Sequence, residues 1–127
     1  MITRVNDELL IVRLSGILDS GAVHALAEEL NKIETAGAYP KRLVFVAETL
    51  TISINSDDAM YYKSRRPEPQ TAVQTAFCVF NDFQYGMARM FQAFLESEQH
   101  TIAIFRDIES AAQWLHVDID LLRKQSL

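Results

Sequence analysis

Residues suited to anion binding are concentrated in one short segment of the chain. Lys63, Arg65 and Arg66 follow two tyrosines, Tyr61 and Tyr62, and form a local basic and aromatic cluster. Guanidinium and ammonium groups bind phosphate and carboxylate through charge-assisted hydrogen bonds. The cluster is therefore a candidate site for a phosphate, a lipid head group or an acidic partner. The alternative is a solvated helix end, because cations there stabilise the negative end of the helix dipole.

The histidines, the cysteine and the glycines do not form a catalytic or metal-binding pattern. None of His24, His100 and His116 has a second histidine three or four residues away. No Gly-x-Ser-x-Gly sequence exposes a serine nucleophile, and the four glycines form no Gly-x-Gly-x-x-Gly or Walker loop. Cys78 lies within an apolar run, which favours a buried thiol with a raised pKa. We therefore expect no metal, no cofactor and no enzyme activity.

The start of the same predicted helix is also polar, at Asn55-Ser56-Asp57-Asp58. The side chain of Asn55 or Ser56 can cap the free N–H groups of a first helical turn. The carboxylates of Asp57 and Asp58 then interact favourably with the positive end of the helix dipole. One short helix thus carries the acidic segment at its start and the basic cluster at its end.

Strands that alternate with helices are predicted to position these residues. Apolar residues in 2–5 and 9–14 indicate a hairpin, and further strands are predicted at 43–47, 72–80 and 101–105. Asp19-Ser20, Asn81-Asp82 and Asp107 precede apolar residues at helical spacing, as N-caps do. This order predicts an α/β sandwich with a mostly parallel central sheet of about five strands and about four helices. One domain spans 1–127, with a tail of uncertain order at 117–127.

The composition argues against several classes of function. Lysine and arginine number 12 against 17 aspartate and glutamate residues, which gives a net charge of −5. This excess of acid opposes a general electrostatic interaction with nucleic acid. The apolar runs are far shorter than the ~20 residues that cross a bilayer, so we expect no integral membrane segment. The lone cysteine and the absence of a secretory pattern in the first residues predict a cytoplasmic location.

Several segments resemble the STAS superfamily, which includes bacterial anti-sigma-factor antagonists and the cytoplasmic domains of sulfate transporters. Leu14-Ser15-Gly16-Ile17-Leu18-Asp19 is similar to the Gly-x-Leu-Asp that ends a strand in this superfamily, and Arg42-Leu43-Val44-Phe45-Val46 is similar to its central strand. Tyr85-Gly86-Met87-Ala88-Arg89-Met90-Phe91 and Phe105-Arg106-Asp107 resemble the stand-alone SpoIIAA-like branch. That branch is similar to both STAS domains and the CRAL-TRIO lipid-transfer fold.

The resemblance also implies a role for Ser56. In the antagonists, a serine at the start of the second helix is phosphorylated by a partner kinase, and a one-residue offset places Ser56 at that position. Asp57 and Asp58 depart from the family motif and would repel a phosphate group. A helix cap explains the same residues without that repulsion.

The resemblance predicts a non-enzymatic STAS-like module that binds a protein partner or a small anionic ligand. Residues 55–58 form its expected binding surface. The alternative is a small carrier of a lipid or another hydrophobic ligand, in which an apolar stripe at helical spacing lines a pocket. A filled core is the other interpretation of that stripe. The stripe consists of Met87, Met90, Phe91 and Phe94, and in the carrier Phe83, Tyr85 and Trp114 line the pocket with them.

A homodimer is also predicted. The tail carries apolar residues that can pair across a two-fold axis, together with an exposed strand edge. These residues are Val117, Ile119, Leu121 and Leu122.

Overall fold

The computed structural model describes residues 1–125 and 127, in which strands and helices alternate. The strands are β1 (Ile2–Arg4), β2 (Leu9–Leu14), β3 (Ile17–Asp19), β4 (Lys41–Val46), β5 (Thr51–Ser53), β6 (Val73–Cys78) and β7 (His100–Phe105). The helices are α1 (Ser20–Glu34), α2 (Ser56–Arg65), α3 (Asp82–Leu95), α4 (Ile108–Leu115) and α5 (Ile119–Arg123).

The main sheet has five strands in the order β1-β2-β4-β6-β7. The first two strands form the predicted antiparallel hairpin, in which Thr3 lies opposite Ile11. The remaining neighbours are parallel, from β2 with β4 to β6 with β7. The strands β3 and β5 form a separate parallel pair. The predicted α/β fold with a mostly parallel five-stranded sheet is therefore confirmed.

The two faces of the sheet are covered by different helices. In β2, Leu10 and Val12 belong to a core that includes residues of α1, α2 and α3. Leu9 and Ile11 belong to a second core that includes residues of α4 and α5. Because successive side chains of a strand point to opposite faces, the continuous apolar run of β2 serves both cores. The result is a sheet between two helical layers.

The helices begin at the capping residues that the sequence indicates. Asp19 accepts a hydrogen bond from the N–H of Ala22 at 2.9 Å, and Asn81 accepts one from Gln84 at 2.8 Å. Asp107 accepts one from Ser110 at 2.7 Å. Each side chain satisfies an N–H group that the helix itself leaves free.

The buried side chain of Gln84 connects the ends of two strands. Its Oε1 accepts a hydrogen bond from the N–H of Phe80 at 2.8 Å, just after β6. Its Nε2 donates to the carbonyl oxygen of Ala47 at 3.0 Å, just after β4. An amide that is satisfied on both sides can be buried without the usual penalty. Gln84 thereby fixes the first turn of α3 against the sheet.

Side chains of α3 and of Glu96, the residue that follows it, occupy part of the edge of β7. Gln92 Nε2 donates to the carbonyl oxygen of Ile102 at 2.8 Å, and the N–H of Ile102 donates to Glu96 Oε2 at 3.1 Å. The backbone of His100 pairs with Ser97. Backbone N–H and C=O groups of β7 that could otherwise pair with another strand are thus already hydrogen-bonded.

The tail contains the short helix α5, which packs on the sheet. Leu122 is fully buried in the same core as α4, and Val117, Ile119 and Leu121 pack against that core. Position 126 lies outside the described residues. The apolar residues of the tail therefore contribute to the fold of one chain, and the homodimer stays a prediction.

We expect Leu122→Ala to destabilise the protein by about 2–5 kcal/mol, because it opens a cavity in a closed core. Urea unfolding followed by circular dichroism measures this loss. Leu121→Ala is the matched control, since Leu121 is partly exposed and its truncation should cost less. Equal losses in the two variants would contradict the packing of α5.

Candidate functional site

Asn55 and Asp58 close the N-terminus of α2 with reciprocal hydrogen bonds. Asn55 Oδ1 accepts from the N–H of Asp57 at 2.9 Å and from that of Asp58 at 3.3 Å. Asp58 Oδ2 accepts from the N–H of Asn55 at 3.0 Å. This arrangement is a capping box. Of the two predicted caps, Asn55 is therefore the one that the structure uses.

The remaining residues of this segment differ in their surroundings. Asp58 is buried, and hydrogen bonds from the Ser20 hydroxyl and the Asn55 N–H lower its pKa. Ser56 and Asp57 are exposed. The carboxylate of Asp58 is thus committed to the helix start, whereas Ser56 and Asp57 remain accessible to a partner.

The basic cluster at the end of α2 is divided between the surface and the interior. Arg65 is exposed and lies over the ring of Tyr61, with 5.2 Å from its guanidinium carbon to the ring centroid. Arg66 follows the last helical residue, in extended backbone, and its side chain is 9% exposed. Its Nη1 donates to Asn31 Oδ1 at 2.6 Å. The solvated helix end is therefore wrong for Arg66, because its side chain points into the interior where the helix stops.

Glu34, at the end of α1, connects Arg66 to a second buried arginine. Glu34 Oε2 accepts a hydrogen bond from Arg42 Nη2 at 2.7 Å, and Glu34 Oε1 forms an ion pair with Arg66 Nη2. Oε1 accepts no hydrogen bond of regular geometry. The side chain of Arg42 is also 9% exposed, and Arg42 Nε donates to the carbonyl oxygen of Tyr39 at 3.3 Å. The three charged groups join α1, β4 and the segment after α2.

These groups line one end of a cavity of about 270 Å³ between the main sheet and α1, α2 and α3. Most of the wall is apolar and belongs to the core on that face of the sheet. The exposed residues of the lining are Lys63, Pro67, Glu68 and Glu96, which mark its opening. The apolar wall includes Val12, Leu14, Leu18, Val23, Leu26, Leu30, Val44, Phe77, Met87, Phe91, Phe94, Leu95 and Ile102.

The apolar stripe of α3 contributes both to the core and to the lining of the cavity, the two roles considered from the sequence. Met87 and Phe91 are core residues, and with Phe94 they also line the cavity. Phe83 is 70% exposed, and Trp114 packs on the opposite face of the sheet. Phe83, Tyr85, Met90 and Trp114 do not line the cavity. That part of the predicted pocket is wrong, because Phe83 faces solvent and Trp114 covers the other face of the sheet. The partly buried Tyr85 and Met90 pack against the core outside the cavity lining.

Two titratable groups of the lining have shifted pKa values. Burial is the largest cause of the lowered pKa of His100, about 4, and the positive charges of Arg42 and Arg66 contribute next. His100 Nε2 lies 2.8 Å from Thr75 Oγ1. Burial also raises the pKa of Tyr62. Both groups are therefore neutral near pH 7 and act as hydrogen-bonding partners.

The predicted site residues do not form one cluster. Residues 55–58 begin α2 and the basic residues end it, and ten residues of helix span about 15 Å. Of the basic residues, Lys63 and Arg66 line the cavity and Arg65 does not. The sequence did not single out Glu34, Arg42, Thr75 or His100 for this site. Arg42 follows Lys41 directly before the apolar run 43–47, and this position did not mark it as a buried charge.

Comparisons with known proteins do not place the chain in a family. No protein-family model matches it, and no curated protein matches it. Within the described part of the chain, no helix is long and apolar enough to cross a membrane. The same residues contain no group of three or more His, Cys, Asp or Glu side chains that could hold a metal ion.

We expect acid to destabilise the protein through His100. In the unfolded chain this histidine gains a proton near its ordinary pKa of 6.5, whereas the folded protein resists protonation until about pH 4. The unfolded state therefore binds more protons between these values, and stability is lost as the pH falls through them. His100→Gln should reduce this loss, as measured by urea unfolding at about pH 7 and about pH 5.

His116→Asn is the control for that experiment, because His116 is exposed at the end of α4 and asparagine tolerates its left-handed backbone. The same loss of stability in wild type and His100→Gln would contradict the assignment of this acid sensitivity to His100.

Proposed function

We propose that the protein is a non-enzymatic binding protein for a small amphipathic molecule, which occupies the cavity beneath α1, α2 and α3. The observation that carries the proposal is an apolar space of about 270 Å³ with charged groups at one end. This is slightly smaller than the 300–1,000 Å³ typical of small-molecule pockets. The proposed ligand is therefore a single short chain or a small ring system.

The composition of the wall supports an apolar body for the ligand. Leu26, Leu30, Phe77 and Phe91 present hydrocarbon surface from both the helices and the sheet. Each methylene group that leaves water for such a site contributes about 0.8 kcal/mol. Part of this gain is offset by the lost freedom of the ligand, so we expect micromolar to millimolar affinity for a short chain.

The proposal selects among the functions expected from the sequence. It keeps a non-enzymatic binding protein and the small ligand, and it moves the binding site from the start of α2 to the cavity at the other end. The STAS-like or SpoIIAA-like family remains a proposal, which the α/β fold supports in its general architecture. A cytoplasmic location remains a prediction.

A titration with octan-1-ol and octyl sulfate, followed by amide NMR spectra, tests the cavity. We expect both compounds to shift the signals of lining residues such as Leu30, Thr75 and Ile102. Leu26→Trp should weaken binding at least about tenfold, because the larger ring enters the apolar space. Ala25→Trp is the control, since Ala25 is exposed on the same helix and does not line the cavity. Thermal unfolding checks that both variants are folded.

Two results would contradict the proposal. One is the absence of shifts at the lining residues at millimolar ligand. The other is equal binding by the folded Leu26→Trp and Ala25→Trp variants.

The second candidate function is binding of a protein partner. The proposed surface lies at the end of the sheet where β2, β4 and β6 stop. Ile17, Phe80 and Phe83 are exposed large apolar residues that follow β2 or β6 closely, and exposed Met60 lies near the start of α2. Large apolar residues on a surface favour contact with another protein. Ser56, also exposed, remains the proposed phospho-acceptor of this surface.

Mass spectrometry of the protein isolated from its own cells tests the role of Ser56. A phosphate on Ser56 would support regulated partner binding. Complete absence of the modification under all growth conditions would argue against it, and the surface would then have to act without phosphorylation.

A further inference from the structure

The buried charges at the end of the cavity do not cancel. Arg42 and Arg66 bring two positive charges, and Glu34 brings one negative charge between them. The two guanidinium side chains are 9% exposed and the carboxylate side chain is 23% exposed. One positive charge is therefore left over where water is largely excluded. A buried charge without a partner is costly, and a ligand of opposite charge lowers that cost.

The other charged residues of the lining lie at the exposed opening. They are Lys63, Glu68 and Glu96, and water and salt screen charges in such positions. Glu96 also accepts the hydrogen bond from the N–H of Ile102. The charges of these residues therefore interact less strongly with a ligand inside the cavity than the charges of the buried arginines do.

The same two arginines affect the pKa values of two neutral groups of the lining, His100 and Tyr62. For His100, the contributions of Arg42 and Arg66 that lower its pKa are larger than those of Glu34 and Glu96 that raise it. For Tyr62, the contributions of Arg66 and Arg42 likewise exceed that of Glu34. The positive charges of Arg42 and Arg66 thus act to lower the pKa values of groups from two different elements.

Hydrogen-bond donors are available for an anion at this end. The described hydrogen bonds of Arg42 use Nε and Nη2, which leaves Nη1 for a ligand. Arg66 is shared between Glu34 and Asn31, and an incoming anion can compete with Glu34 for it. A guanidinium group can bind two acceptor oxygens at once.

We infer that the ligand of the cavity carries one negative charge next to Arg42 and Arg66, and that Glu34 limits the preferred charge to one. This inference rests on the proposed function and names the class of its ligand. That class is a short-chain monoanion, such as an alkyl carboxylate or an alkyl sulfate. A phosphate monoester with two charges fits less well, because Glu34 already neutralises one of the arginines.

Three ligands with the same chain separate the effect of charge from that of the apolar body. Octan-1-ol, octyl sulfate and octyl phosphate carry zero, one and close to two negative charges at about pH 8. We expect octyl sulfate to bind about tenfold more tightly than octan-1-ol, and octyl phosphate to bind no more tightly than octyl sulfate. Dissociation constants come from the amide NMR titration or from calorimetry.

The Glu34→Gln variant tests whether Glu34 limits the preferred negative charge of the ligand to one. The substitution keeps the shape of the side chain and removes its charge, so octyl phosphate should gain about tenfold relative to octyl sulfate. Glu29→Gln makes the same change on the exposed face of α1, away from the cavity, and should leave the preference unchanged.

Arg66→Gln is the complementary variant, and it should remove most of the advantage of octyl sulfate over octan-1-ol. Its neighbour Arg65 does not line the cavity, so Arg65→Gln should keep that advantage. Circular dichroism and thermal unfolding check the fold of each variant. The three ligands also test the wild-type protein directly, so the inference remains testable if Glu34→Gln does not fold.

The possible failures are distinguishable. If none of the three ligands binds, both the proposed function and this inference are wrong. If octan-1-ol binds as tightly as octyl sulfate, the cavity function stands and the preference for an anion is overturned. If a folded Glu34→Gln is less stable but keeps the wild-type order of affinities, Glu34 is a structural ion-pair partner and does not limit the charge of the ligand.

Discussion

The carboxylate of Glu34 lies between the guanidinium groups of Arg42 and Arg66, and the shape of the cavity depends on this contact. The three residues come from the end of α1, from β4 and from the segment after α2. Charges that have lost most of their water must keep their partners, because leaving one unpaired costs several kcal/mol. The ends of α1 and α2 are therefore tied to β4 at the charged end of the cavity.

Most of the fold could be predicted because its signals are local. The caps Asp19, Asn81 and Asp107 and the apolar runs of the strands depend on neighbours within a few residues. The cavity could not be predicted, because its ion pairs join residues from 8 to 32 positions apart. Arg65 and Arg66 are adjacent and chemically identical, yet Arg65 is exposed and the side chain of Arg66 is only 9% exposed. Their difference arises where α2 ends and the backbone becomes extended, which the sequence marks only by the following proline.

The charged end of the cavity lies near the amino ends of β4 and β7, where Arg42 and His100 are found. Open α/β sheets more often bind ligands at the carboxyl ends of their strands. Here that opposite end carries the start of α2 and the exposed Phe80 and Phe83. The helix α2 therefore contributes its C-terminus to a small-molecule site and its N-terminus to a surface open to larger partners. The family resemblance indicates only one of these two sites, the one at the N-terminus of α2.

The hydrogen bonds of Gln92 and Glu96 to Ile102 have a consequence for the order in which the chain is made. The helix α3 precedes β7 in the sequence, so its side chains emerge from the ribosome before the strand that they protect. When β7 joins the sheet, part of its free edge is blocked at once by side chains that emerged before it, whereas α4 and α5 emerge later. A nascent chain with an apolar, partly covered sheet is thereby less open to strand exchange with neighbouring chains on the same messenger RNA.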